Sequence, residues 1–221
     1  MASAAVTMSG DRDEASKPFM VEMRAEAMRL HSKDQSREGK VEALEPPIDT
    51  WEPTLEAYIR YLVDSKLVFD TLEAVVDRAA VPWYAELRDT GLERSEALKK
   101  DIEWFRQQGH TIPEPSALGI TFASYLEELS ENAPPAFVCH FYNAYFGHAA
   151  GGRNIGKMVS EKLLLNKEME FYKFEAYDVP QLLQDVRGKL NQGWSREEKD
   201  RCLEEIEKSF VYSRTIRRCL I

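Results

Sequence analysis

The sequence predicts an all-α fold that forms a single domain. Apolar residues recur at helical spacing almost throughout, and no run alternates apolar and polar residues between hairpin turns. The chain has 221 residues, of which 43% are hydrophobic, and this is enough to bury one sizeable core. We expect that domain to span 17–221, after a flexible N-terminal segment at 1–16 that is small, polar and acidic.

The helical pattern divides into eight segments. They are predicted at 17–36, 54–80, 82–88, 93–107, 118–130, 135–165, 179–190 and 196–217. Two helix starts carry recognisable chemistry, because Pro134 and Pro135 suit a first turn, and Ser195 with Glu198 forms a capping-box pattern. The main loops are predicted at 39–53, 107–116 and 191–194.

Composition and charge exclude several classes of protein. The formal net charge of −9 argues against broad nucleic-acid binding, and no apolar run reaches the roughly 18–20 residues that a membrane span needs. The three cysteines lack the spacing of a zinc site or disulfide framework. Basic clusters at 152–157, 186–189 and 214–218 are interpreted as solvated helix faces, with a local docking patch as the alternative.

The stretch FGHAAGGRNIG (146–156) places four glycines inside a helical pattern, although glycine costs about 0.5–1 kcal/mol there relative to alanine. Gly147 and Gly151 are four apart and lie on a flank away from the bulky residues, so they form a strip of bare backbone that Gly152 widens. Gly156 is expected to allow close helix packing. Spacing alone leaves two interpretations of the strip open: another helix packs on it, or a flat ligand rests there.

The first predicted helix carries a histidine on a largely apolar face. His31 shares this face with Arg24, and no acidic residue shares the immediate strip of that arginine. A lone histidine of this kind is commonly a hydrogen-bonded core residue. Gln35, four residues later, could however orient the imidazole as a second-shell partner does at metal sites. A histidine, an apolar patch and an arginine together suit a flat, iron-bearing ligand with anionic groups.

Sequence patterns of other chemistries are absent. No Glu-x-x-His pair of a di-iron protein occurs, and neither do the zinc-protease, serine-hydrolase or P-loop patterns. The glycine stretch follows a helical pattern rather than a strand, which argues against dinucleotide binding.

Four stretches together resemble the heme oxygenase family. FYNAYFGHAAGG (141–152) is similar to its distal-helix signature and MRLHSKDQ (28–35) to its proximal-histidine segment, while DVRGKLN (185–191) and EKSFVYSRTI (207–216) are similar to its C-terminal helices. The resemblance runs from about Lys17 over nearly the whole chain. Its variant is that of the plastid plant enzymes, which serve phytochrome-chromophore synthesis.

The resemblance implies that heme b lies between the first helix and the glycine helix. His31 would be the axial ligand of the iron, and Gly147 and Gly151 would lie over the distal face, where O2 binds. Arg24 and Arg187 would hold the heme propionates. The residues expected to contact heme are Arg24, Gln35, Tyr142, Gly147, Gly151, Gly152 and Arg187; the expected catalytic set is Gly147, His148 and Gly151.

The chain departs from the family pattern at two positions. His148 stands where many members carry an aspartate that holds a proton-delivering water network, although plant-type members resemble this chain. His148 therefore has two interpretations: a part of the proton route, or a hydrogen-bonded helix residue. Leu183 lies near the position of a second propionate-side lysine found in relatives, so that contact is expected to be missing.

The implied activity is oxidative cleavage of heme, which is both substrate and cofactor. O2 and electrons from reduced ferredoxin would convert it to biliverdin IXα, CO and Fe(II). We expect a monomer in the chloroplast stroma, with ferredoxin as partner, and an acidic partner requires a local basic surface. Two alternatives stay open: a non-catalytic tetrapyrrole-binding protein on this fold, and an all-α enzyme acting on thiamin-type substrates through Cys139, a residue that we interpret as structural.

Overall fold

Nine α-helices make up most of the described chain. The structure is a computed structural model that describes residues 18–32, 39–40, 42–43, 45–174 and 178–221, and no β-strand occurs in these ranges. The helices are α1 (Phe19–Arg29), α2 (Leu55–Arg78), α3 (Ser95–Gln107), α4 (Ala117–Asn132), α5 (Pro134–Gly147), α6 (Arg153–Leu163), α7 (Val179–Leu190), α8 (Arg196–Glu204) and α9 (Ile206–Arg217). The predicted N-terminal segment 1–16 lies outside the described residues.

Short 3₁₀ turns connect several helices. They span Ile48–Thr50, Pro82–Leu87, Glu170–Tyr172 and Arg218–Leu220. The predicted helix at 82–88 is the second of these turns, so its position is confirmed and its helix type is wrong. The two predicted helix starts are confirmed, since Pro134 opens α5 and Ser195 and Glu198 form a complete capping box at α8.

The first helix is shorter than predicted. α1 ends at Arg29, and the chain then returns on itself, because the backbone N–H of Lys40 donates to the carbonyl of His31 at 2.9 Å. A Cβ atom on Gly39 would lie 2.1 Å from the carbonyl oxygen of Ser32, so a side chain does not fit at this return. His31 therefore lies just beyond the helix rather than within it.

A five-residue π-turn, His148–Gly152, separates α5 from α6 in the long helix predicted at 135–165. The π-turn has i→i+5 hydrogen bonding and is wider than an α-helical turn, and such turns are frequent at functional sites. The helical rhythm on either side predicts the helix but not this change of pitch.

The last predicted helix, 196–217, is two helices that break at Glu205. The Glu205 carboxylate accepts hydrogen bonds from the Tyr125 hydroxyl at 2.8 Å and from Nε2 of buried His140 at 3.0 Å. These partners lie on α4 and α5, far away in sequence. The break therefore depends on tertiary contacts rather than on local sequence.

α2 is the central helix of the core and packs against α3 and α4. Asp64, buried on α2, accepts hydrogen bonds from the backbone N–H and the hydroxyl of Ser116 at 2.7 and 2.6 Å. Ser116 in turn caps α4. This bond pair fixes where α4 starts against α2, and α5 then packs on α4, α8 and α9.

Candidate functional site

The His31 side chain has one ring nitrogen engaged and the other available. Nδ1 lies 2.8 Å from the carbonyl oxygen of Ala27. A carbonyl only accepts, so Nδ1 carries the proton and the lone pair of the neutral ring is at Nε2. Nε2 makes no hydrogen bond within the described part of the chain. The half-buried ring meets the edge of Phe210 on α9 at 5.2 Å between centroids and 86°.

This arrangement is that of a metal-binding imidazole whose tautomer is fixed by a backbone acceptor. Gln35, which we expected to orient the ring, lies outside the described residues, and its role stays a prediction. In the described chain the Ala27 carbonyl is the orienting partner. This carbonyl lies four residues before His31, so its position relative to the histidine follows from helical spacing.

The bare strip is present and open. Gly147 and Gly151 are exposed, and a Cβ atom built on either meets no heavy atom within 4 Å. No described segment packs on them, which argues against the interpretation that another helix covers the strip. Asn143, one turn before Gly147 on the same flank, donates from Nδ2 to the Ser209 hydroxyl of α9 at 2.6 Å. α9 therefore contacts both the flank of the glycine strip and, through the next residue, His31.

An aromatic pair on α5 is contacted by one arginine and acted on by the charge of a second. Tyr142 and Phe146 stack with centroids 4.1 Å apart, and the Arg187 guanidinium lies 4.8 Å from the Phe146 centroid. Burial raises the pKa of Tyr142, while the positive charges of Arg187 and, more weakly, Arg24 act to lower it. The charges of both arginines therefore act on the Tyr142 hydroxyl. Leu183 packs partly buried against the core and supplies no cation.

His148 points away from the bare strip. Its Nε2 donates to the carbonyl oxygen of Phe171 at 2.7 Å, and its ring stacks on the Phe171 ring at 4.0 Å. Burial, opposed by this hydrogen bond, lowers the pKa of His148 to about 3. The ring is therefore neutral at physiological pH, and its one N–H group is used in the hydrogen bond to Phe171. The geometry favours the second interpretation of His148, a hydrogen-bonded helix residue.

Gly152 and Gly156 serve this same side of the helix. A Cβ atom on Gly152 would lie 2.7 Å from Nδ1 of His148, and one on Gly156 would lie 2.5 Å from the Tyr172 ring. Gly156 is close packing, as expected. The structure does not bring Gly152 to the bare strip, although we expected it to widen that strip.

Asp101 on α3 supports the 170–172 turn, a role that the sequence does not predict. Its buried carboxylate accepts hydrogen bonds from the backbone N–H groups of Glu170 and Phe171, both at 2.8 Å. Burial raises the pKa of Asp101 to about 6, and the two hydrogen bonds oppose the rise. The turn that accepts the hydrogen bond of His148 is therefore tied to α3. Nothing in the local sequence of Asp101 signals this contact.

Other expected features have simpler positions. Cys139 is buried, with its sulfur 3.8 Å from the Ser209 hydroxyl, as suits a structural residue. Arg214 and Arg217 of the 214–218 cluster both face the carboxylate of Glu45, at 3.8 and 3.0 Å, so these two side chains are structural. No helix in the described ranges is long and apolar enough to span a membrane, and within them no group of three or more His, Cys, Asp or Glu side chains could hold a metal ion.

Comparison with known proteins finds plant relatives of high sequence identity. Heme oxygenase 1, chloroplastic, of Oryza sativa is 66% identical over 203 residues, which are 90% of this chain and 70% of the relative. A relative in Arabidopsis thaliana named probable inactive heme oxygenase 2, chloroplastic, is 49% identical over 176 residues, covering 78% of this chain and 58% of the relative. The plant relatives are chloroplastic by name, which confirms the expected plastid localisation.

Solved structures confirm the predicted fold. The crystal structure of heme oxygenase-1 from the cyanobacterium Synechocystis in complex with heme has a TM-score of 0.75 at 17% identity, over 91% of each chain. At that identity the likeness concerns the fold. The heme oxygenase family model matches residues 17–218, nearly the whole described chain. Together with the identity to the rice protein, this match shows that the chain belongs to the heme oxygenase family.

Proposed function

We propose that this protein is a ferredoxin-dependent heme oxygenase that cleaves heme at the α-meso carbon to biliverdin IXα, CO and Fe(II), and that it supplies bilin chromophore synthesis. The observation that carries the proposal is the His31 imidazole, whose proton is held at Nδ1 by Ala27 while Nε2 stays available. A neutral imidazole with a free Nε2 is the form that binds iron. Family membership supports heme degradation in general.

The residues present fit a heme. A flat macrocycle needs an open, side-chain-free surface, and Gly147 and Gly151 offer one. Its propionates need cations that can make charge-assisted hydrogen bonds, and Arg187 beside the Tyr142–Phe146 pair and Arg24 on α1 supply two cations whose charges both act on Tyr142. When bound, heme supplies both the iron that reacts with O2 and the carbon that is oxidised.

The chain's own residues bind and orient the substrate. We propose that the two arginines would hold the propionates and so favour one orientation of the macrocycle. The missing side chains at Gly147 and Gly151 would leave room for O2. Because the proton of His148 is engaged with Phe171, a catalytic role for this histidine would require that bond to open first.

We propose a local basic surface for the acidic electron donor at the start of α6. Arg153 and Lys157 are exposed directly after the glycine turn, and Lys157 has a weak pairing with Glu161, at 3.9 Å. This is the basic cluster at 152–157, and it lies next to the proposed heme edge. Attraction between it and ferredoxin is expected to weaken with salt. We propose that the protein acts as a monomer in this complex.

The test of the ligand assignment is titration of purified protein with heme, followed by turnover with reduced ferredoxin and identification of the products. The wild type is expected to show the spectrum of histidine-coordinated ferric heme and to release biliverdin and CO. His31→Ala is expected to lose that coordination while keeping the fold, since the ring is only half-buried. A ferric-heme spectrum unchanged in His31→Ala would refute the assignment.

The docking surface is tested by charge reversal. Arg153→Glu combined with Lys157→Glu is expected to raise the KM for ferredoxin and to weaken its salt dependence, with heme affinity unchanged. The matched control is Lys99→Glu combined with Lys100→Glu on α3, where both lysines are exposed. Equal effects of the two reversals would show that general charge, rather than this surface, governs docking.

A second candidate, a non-catalytic tetrapyrrole-binding protein, has one observation in its favour. A relative 49% identical to this chain is named probable inactive. The higher identity to the rice heme oxygenase 1, 66%, favours the active enzyme. Tight heme binding without biliverdin or CO under ferredoxin-driven turnover would support the second candidate.

A further inference from the structure

The first helix is capped by a residue that lies 171 positions away in sequence. α1 follows Pro18, whose side chain has no group that can accept a hydrogen bond from the first helical N–H groups. The side-chain oxygen Oδ1 of Asn191 accepts instead from the backbone N–H of Met20 at 2.9 Å. The N-terminus of α1 is thus completed from another part of the fold.

Asn191 also closes the helix that carries Arg187. Its own backbone N–H donates to the carbonyl of Arg187 at 3.0 Å, so it ends α7 while its side chain begins α1. Arg24 lies one turn after Met20 on the same face of α1. One residue therefore links α1, which carries Arg24, to the last turn of α7, which carries Arg187.

Other contacts at this end of α1 are two packing contacts and one exposed ion pair. Phe19 packs against Trp194 with centroids 5.6 Å apart, Met23 touches the sulfur of Cys202 at 3.6 Å, and Glu22 pairs with exposed Arg196 at 2.8 Å. Ring and sulfur packing tolerates small sliding, whereas a hydrogen bond weakens steeply with distance and angle. The ion pair joins two side chains, and that of Arg196 is 57% exposed, so the Asn191 bond to the helix backbone is better suited to fix the position of α1 along its axis.

We propose that Asn191 is a positioning residue for heme: by capping α1 from the end of α7, it sets the register between Arg24, Arg187 and the segment that leads to His31. The inference rests on the proposed function. Without the cap, α1 can slide or fray at its first turn. The arginine pair and the imidazole then meet the macrocycle in more than one register.

Two variants of similar size separate the acceptor from simple packing. Asn191→Leu removes the acceptor, and Asn191→Asp keeps an oxygen at the same place, beside a helix N-terminus that favours negative charge. Gln192→Ala, at the exposed neighbouring residue, is the control. In heme-free protein, hydrogen exchange at Met20 and the next amides of α1 is expected to be about five- to tenfold faster in Asn191→Leu, and close to wild type in the other two.

The heme-bound readout distinguishes positioning from stability alone. Proton NMR of the ferric complex is expected to show one dominant heme orientation in the wild type and in Asn191→Asp, and a mixture in Asn191→Leu. Unchanged exchange in Asn191→Leu would overturn the capping step. Faster exchange with an unchanged heme orientation would overturn the positioning role while leaving the proposed function intact. Failure of the wild type to bind heme would overturn both.

Discussion

Replacing glycine by alanine along the distal segment is expected to give opposite effects at neighbouring positions. At Gly147 the backbone has helical angles, φ −64° and ψ −41°, and an added methyl group meets open space there and at Gly151. Alanine at such a position restricts the unfolded chain and favours the helix. Gly147→Ala and Gly151→Ala should each stabilise heme-free protein by about 0.4–1 kcal/mol. For a chain of this size that is a rise in Tm of about 1–4 °C.

Alanine at Gly156, five residues after Gly151, is expected to destabilise the folded protein. At Gly156 the new methyl carbon would lie 2.5 Å from the ring of Tyr172, a buried side chain without room to retreat. Overpacking of this kind costs about 1–3 kcal/mol. Gly188→Ala is the matched control, because Gly188 is exposed on α7 and an added Cβ meets nothing within 4 Å. It should stabilise the protein as the two strip variants do.

The assay combines urea unfolding of the heme-free variants with heme titration. Gly147→Ala and Gly151→Ala should gain stability and lose heme affinity, whereas Gly188→Ala should gain stability alone. Loss of stability in both strip variants would show that they pack against protein. A gain in stability with unchanged heme affinity in both would refute the assignment of the strip to heme.

Two further predictions concern charged groups. Substitution of either Arg24 or Arg187 with alanine should weaken or misorient heme without removing axial ligation. Product analysis should then show mixed biliverdin isomers. Unchanged heme affinity with a single isomer in both variants would contradict the role of the arginines. His148 has a folded-state pKa of about 3, below its unfolded value near 6.5, so the folded state binds fewer protons and stability should fall as pH drops from about 6.5 towards 3. His148→Gln keeps a donor for the Phe171 carbonyl but does not titrate. Urea unfolding at several pH values should show that the variant loses stability less steeply with falling pH than the wild type, by up to about 1.4 kcal/mol per pH unit. Equal slopes of stability against pH in the two proteins would refute the burial argument.

The helices were predictable from sequence because each buries a periodic apolar face and several carry local caps. The features that the sequence did not predict share one physical cause, which is dependence on partners far away in sequence. α8 and α9 separate where Glu205 meets His140, and the basic cluster at 214–218 is partly neutralised by Glu45. Neither contact leaves a signal in the local pattern.

The candidate site divides in the same way. His31 and the open strip could be located from residue type and spacing, since a histidine beside an arginine and paired glycines four apart are local features. The direction in which His148 points could not, because a π-turn changes the helical phase and the local pattern does not predict that turn. The acceptor for His148 is a backbone carbonyl, at Phe171, and residue identity does not encode that partner.

The π-turn explains why one glycine-rich stretch meets two opposite requirements. On one side, Gly147 and Gly151 keep the backbone open. On the other, Gly152 makes room for the ring of His148, whose bond to the 170–172 turn anchors the segment to Asp101 on α3. A π-turn is a rare, local departure from the α-helix, and here side contacts hold it on one face. The buried histidine holds one face of the turn while the other stays bare, so the segment is rigid where it packs and accessible where the substrate is proposed to lie.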